Sequence, residues 1–98
     1  MTQTVRVVAR IIARQDRVEA LKAVLGALVN PSRSESGCIR YDLCQNQADP
    51  TDFTFIEEWE SGEQLDAHLA SQHLKTVVGQ LTGLVAVDPD IRRYNQIR

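Results

Sequence analysis

Two histidines and a glutamate carry most of the chemistry open to this sequence. His68 and His73 stand five residues apart, and Glu57 stands two before Trp59 in the run Phe53-Thr-Phe55-Ile-Glu57-Glu-Trp59. Imidazole titrates nearer neutrality than any other unperturbed side chain, so either histidine could act as a general base. His73 is the expected base, with His68 as its companion. On an unbroken helix a five-residue spacing is a rotation of ~140°, which differs from the i, i+4 pairing of a helical metal site. A break at Ser71 would let the two rings converge on one pocket.

Glu57 lies between Phe55 and Trp59 on one strand face, where a carboxylate must be paired or protonated. It either makes a structural bond to Arg10, Tyr41 or a histidine, or it orients a histidine or accepts a substrate proton. Trp59 serves as core or as a platform for a ring, and its indole N–H requires a partner that a ligand oxygen could supply. Tyr41 either ties the sheet to a helix or hydrogen-bonds a phenolic oxygen. Arg10, mid-strand between Arg6 and Arg14, needs a carboxylate partner or an anionic ligand. It is a minor binding candidate.

These residues need elements to hold them. Residues 5–14 are rich in β-branched side chains and read as a strand with apolar residues on both faces. Asp16, with Glu19 three residues on, is the expected cap of a helix carrying Val18, Leu21, Leu25 and Leu28. That helix should yield near Asn30, since Pro31 restricts the residue before it. Asn30-Pro31 opens a short turn ending at Gly37. Strands follow at 38–47 and 53–60, joined by the turn residues 48–52. Ser61 with Gln64 caps the next helix, whose buried stripe is Leu65 and Leu69. Beyond Ser71, a helix marked by Leu74, Val77, Val78 and Leu81 ends at Gly83. A last strand falls within 85–97, with Pro89 near its start.

The order is β-α-β-β-α-β, an α+β, ferredoxin-like split βαβ fold in one domain over residues 1–98. Two helices can cover only one face of a four-stranded sheet. Val8 and Ile56 on the second face therefore call for a second copy of the chain, joined by a two-fold axis.

Bulk properties narrow the partners. The 98 residues have 43% hydrophobic and 24% charged content and a formal net charge of −2, with no basic excess for nucleic acid or a membrane surface. No apolar run approaches the ~18 residues of a membrane span. The first residues have no signal-peptide pattern, so a cytoplasmic location is expected. Cys38 and Cys44, on one strand, would stand ~20 Å apart and cannot bridge. No CxxC, HxH or HExxH spacing occurs, so no metal is expected.

The ordered set Glu35-x-Gly37-Cys38-x-x-Tyr41, Glu57-x-Trp59 and His68-x-x-x-x-His73 resembles the pattern of the antibiotic biosynthesis monooxygenase family, in particular its quinol-oxidising branch. The resemblance implies a dimeric α/β barrel with a pocket between each sheet and its own helices. It also implies oxidation of quinols or polyketide phenols without flavin, metal or haem. In polyketide-oxidising members an asparagine precedes the strand tryptophan by four residues and a tyrosine follows it by six. Here those positions are Phe55 and Leu65, which become apolar substrate contacts. Haem-degrading relatives carry a histidine ligand near the position of Val78, so haem is not expected.

The expected function is thus a cofactor-independent monooxygenase of a quinol-like or polyphenolic small molecule, with a histidine as base. The open alternatives are a proton-transfer enzyme on a small oxygenated metabolite and a non-catalytic module that binds a small aromatic.

Overall fold

Strand β1 (Val5–Ile12) forms where β-branched residues cluster, in a computed structural model that describes residues 3–98. It stops two residues short of the expected end. Ala13 continues only as an isolated bridge to Val85, and the Arg14 N–H donates to the Leu84 carbonyl. Helix α1 (Val18–Gly26) follows, burying Leu21 and Leu25. Its N-cap is Arg17, with no side-chain hydrogen bond, so Asp16 does not cap it. A short α2 (Val29–Arg33) begins before Pro31 rather than at it. Pro31 falls in the first turn, where a backbone N–H would have no helical partner, so the ring is tolerated.

Strands β2 (Cys38–Gln45) and β3 (Asp52–Trp59) form the expected hairpin. In its turn, Asn46 Oδ1 accepts from the Ala48 N–H at 2.8 Å and Asp49 Oδ1 from the Thr51 N–H at 3.0 Å. Ser61 caps α3 (Gly62–Leu69), its Oγ accepting from the Gln64 N–H at 3.3 Å. The break expected at Ser71 is present: Ser71 becomes the N-cap of α4 (Gln72–Gln80), accepting from the Leu74 N–H at 3.4 Å. Gly83 follows with φ at 81°, the left-handed region that favours glycine. Strand β4 (Asp90–Tyr94) begins directly after Pro89.

The four strands lie in the order β2-β3-β1-β4, and every neighbouring pair is antiparallel. This is the ferredoxin-like arrangement. The pairing aligns Tyr41, Glu57, Val7 and Arg93 in one row across all four strands. Side chains of alternate residues share a face, so all four point to the helix side. Val7, Ala9, Ile11, Phe53 and Phe55 pack there against Leu21 and Leu25 as the core.

The other face differs from the expected apolar one. Val8, Ile12 and Ile56 are half-buried, but ion pairs lie among them, including Arg6–Glu58 at 3.3 Å and Arg10–Asp52 at 2.9 Å. The face is mixed, with apolar residues at its centre. No helix among the described residues is long and apolar enough to cross a membrane.

Candidate active site

A cavity opens between the helix side of the sheet and helices α3 and α4. Its walls are mainly aliphatic, among them Ile11, Leu65, Val77 and Ile91. The polar exceptions are Tyr41, Glu57, His68 and Arg93. Three of these four belong to the row that crosses the sheet. His68 comes down onto that row from α3, with its ring centroid 5.3 Å from Tyr41.

His68 is held on several sides. Its Nδ1 lies 2.7 Å from Glu35 Oε2, and its ring lies over Trp59 at a centroid distance of 4.6 Å and an angle of 32°. A carboxylate can only accept, so Nδ1 carries the proton and Nε2 keeps the lone pair. Burial lowers the His68 pKa, against the opposing charge and hydrogen bond of Glu35. The imidazole is therefore neutral near pH 7, with one basic nitrogen available.

Glu57 is 5% exposed and accepts one hydrogen bond, from the Trp59 indole N–H to Oε1 at 2.9 Å. Its partner is thus Trp59, and none of Arg10, Tyr41 or a histidine fills that place. Burial raises its pKa to about 7, the Trp59 bond opposing and the Glu35 charge adding. Burial and the Glu57 charge also push the Tyr41 phenol above its ordinary range, so it remains a donor. The Ser32 hydroxyl acts weakly the other way, and it is buried without an aligned hydrogen-bond partner.

Of the residues singled out from sequence, Tyr41, Phe55, Glu57, Leu65 and His68 line the cavity. The remaining three stand elsewhere. Trp59 is fully buried beneath His68, and its N–H is already used by Glu57. His73 lies beyond Glu35, with Nε2 2.8 Å from Oε1. That contact has ion-pair distance without hydrogen-bond alignment, and Nε2 has no hydrogen-bond partner. Arg10 is on the opposite sheet face, donating to both Asp52 oxygens at 2.9 and 3.2 Å, and so does not reach the pocket. Strand parity separates it from Ala9 and Ile11, which face inward.

Two positions of the candidate site had no role assigned from sequence. Glu35 joins the two histidines from the loop before β2, and its only signal was its place at the head of the Glu-x-Gly-Cys motif. Arg93, at the cavity wall, donates to Asp66 Oδ1 at 2.8 Å. The weak alternation of the last strand concealed it.

Residues 4–80 match the family model described as antibiotic biosynthesis monooxygenase, across most of the fold and all of the Glu35–His73 constellation. The chain belongs to that family. It is similar to the Mycobacterium tuberculosis protein named "Putative monooxygenase Rv0793", at 39% identity over 84 residues, covering 83% of this chain and 82% of that protein. The crystal structure of PA3566 from Pseudomonas aeruginosa superposes with a TM-score of 0.93 at 32% identity, covering 100% of this chain and 98% of that one. That of SO0527 from Shewanella oneidensis gives 0.90 or better: its TM-score is 0.91 at 30% identity, over 98% of this chain and 93% of that one.

Proposed function

We propose that the protein is a cofactor-independent monooxygenase that oxidises a quinol-like or polyphenolic small molecule, with His68 as the general base. The observation that carries this reading is the Glu35–His68 contact of 2.7 Å on the wall of an otherwise largely apolar cavity. Glu35 fixes the tautomer that leaves Nε2 basic, and its charge stabilises the imidazolium that forms on proton transfer. His68 takes this role in place of His73, which does not line the cavity.

The chemistry follows from an electron-rich ring. His68 removes a phenolic proton, and the quinolate passes one electron to oxygen. The radical pair joins through a new C–O bond, and the resulting peroxide collapses with loss of water. One oxygen atom stays in the hydroxyquinone and the other leaves as water, so the quinol supplies all four electrons. The protein holds the ring dry and oriented. Tyr41 donates to an oxygen that gains negative charge, and Glu57, near its midpoint at neutral pH, relays a proton beside it.

The active protein in this reading is a homodimer. Val8, Ile12 and Ile56 lie half-buried on the outer sheet face, with Tyr94 exposed beside them. A two-fold copy laid on that face would cover them and leave both cavities on their own helix sides.

Oxygen consumption with a panel of benzo- and naphthohydroquinones, without added flavin, tests the function. Stoichiometric hydroxyquinone formation is expected, with loss of at least ~100-fold in His68→Gln of unchanged circular dichroism. No uptake above autoxidation over the whole panel overturns the reading. Solvent proton exchange into a substrate without oxygen uptake would replace it with proton-transfer chemistry.

A further inference from the structure

Glu35 and His73 do not line the cavity, and together with His68, which does, they form a second constellation. Glu35 comes from the loop before β2, His68 from α3 and His73 from α4, and their ligating atoms all lie within 4.8 Å of one another. One carboxylate faces two ring nitrogens, at 2.7 Å for His68 Nδ1 and 2.8 Å for His73 Nε2. A proton satisfies only the first of these. His73 Nε2 is buried with no hydrogen-bond partner, although it approaches the carboxylate as closely as a partner would. A buried polar atom left in that state requires an explanation.

We propose that Glu35, His68 and His73 form a binding site for a divalent transition ion of the Zn2+ class, and that the ion silences His68 as a base. Two imidazoles and one carboxylate suit Zn2+, Co2+ or Ni2+, whereas Mg2+ and Ca2+ prefer all-oxygen sets. Metal–ligand bonds of about 2.0–2.2 Å at tetrahedral angles place neighbouring donor atoms about 3.4 Å apart, so Glu35 must draw back by roughly 0.6–0.7 Å from its present contacts. Glu35 lies outside regular secondary structure and can supply that shift. An opening lined by Glu35, Ser36, Gln64, Ala67 and His68 brings solvent to two of the three donor residues.

The effect on His68 follows from its two nitrogens. An ion on Nδ1 displaces the proton there, and the neutral ring then carries its proton on Nε2. The nitrogen available to the cavity becomes a donor and can no longer accept a phenolic proton. His68 releases no net proton in this exchange, because the proton moves from one nitrogen to the other. The inhibitory half of the proposal rests on His68 being the base; the binding half does not.

Chelator-stripped, dialysed full-length protein is titrated with ZnCl2 by calorimetry, and the His68 ring is followed by 15N NMR. One ion per chain with Kd of about 1 µM or tighter is expected. Both Glu35→Gln and His73→Ala should weaken it at least ~10-fold, with His73→Gln as a second check on folding. On saturation the His68 proton should move from Nδ1 to Nε2. Absence of saturable binding up to ~100 µM, binding indifferent to both His73 variants, or a His68 ring that keeps its Nδ1 proton each overturn the site. Zinc binding by a protein that oxidises no quinol leaves the site standing and removes the oxygenase reading. Quinol oxidation by a protein that ignores zinc does the reverse.

Discussion

His68 Nδ1 and Glu35 Oε2 meet at 2.7 Å although 33 residues separate them in the chain. The contact joins a loop ahead of β2 to a helix that follows β3, so it forms only when the hairpin and α3 are both in place. It also sets which nitrogen of the imidazole is basic.

Glu35→Gln keeps an oxygen that can accept from Nδ1 but removes the charge. Turnover should fall about 10–100-fold. The Glu35 charge raises the His68 pKa, so its loss should lower that pKa further. The acidic limb of the kcat/KM profile then moves to lower pH. A limb that stays in place or moves upward contradicts the assignment.

Glu57 links stability to pH. Its pKa is about 7 in the folded chain against 4.5 for the ordinary side chain. Between those values the folded state keeps a proton that the unfolded state has lost. Stability should therefore be full below about pH 4.5 and decline as pH rises through 7, by on the order of 3 kcal/mol. His68, with a lowered pKa, acts in the opposite sense below about 6.5. Urea midpoints of wild type and Glu57→Gln, compared at each pH, cancel the His68 contribution. The difference should vanish at low pH and grow towards pH 8.

Trp59→Phe removes the hydrogen bond that Glu57 accepts, while keeping most of the ring beneath His68. The Trp59 bond lowers the Glu57 pKa, so the variant should raise it above about 7. An unpartnered buried carboxyl costs about 1–3 kcal/mol, and the smaller ring adds to that. A 13C titration of the Glu57 carboxyl and a denaturant melt read the two effects separately.

Ile56→Asp puts a charge at the centre of the outer face, beside Val8 and away from the cavity. Sedimentation should change from a dimer to a single chain, with the fold retained. Wild-type protein that sediments as a monomer at all concentrations would remove the proposed assembly.

The sequence made the fold legible because strong local signals agreed with it. β-branched residues marked β1, turn residues marked the hairpin, and Ser61 and Ser71 marked both later helix starts. Faces were less legible. Alternation shows that Arg10 and Ala9 point opposite ways, but both faces carried apolar residues, which left Arg10 open as a pocket residue. Glu57 and Trp59 were placed on one face by parity, yet their mutual bond depends on side-chain rotamers that spacing does not record. The same holds for the histidines. A five-residue separation across a helix break fixes neither which ring meets the cavity nor which approaches Glu35 from behind. Asp16 had the right chemistry for a cap, but α1 begins one residue later than it would require.

Gly37 ties these elements together by having no side chain. Its φ is +85°, and a β-carbon there would fall 2.2 Å from the Gln64 side chain and 2.8 Å from its Cβ. Gln64 lies in the first turn of α3, one turn before His68. A bulkier residue at 37 would wedge the loop away from the helix and lengthen the reach from Glu35 to the imidazole. The alignment of the His68 ring is therefore sensitive to a backbone position that does not line the cavity.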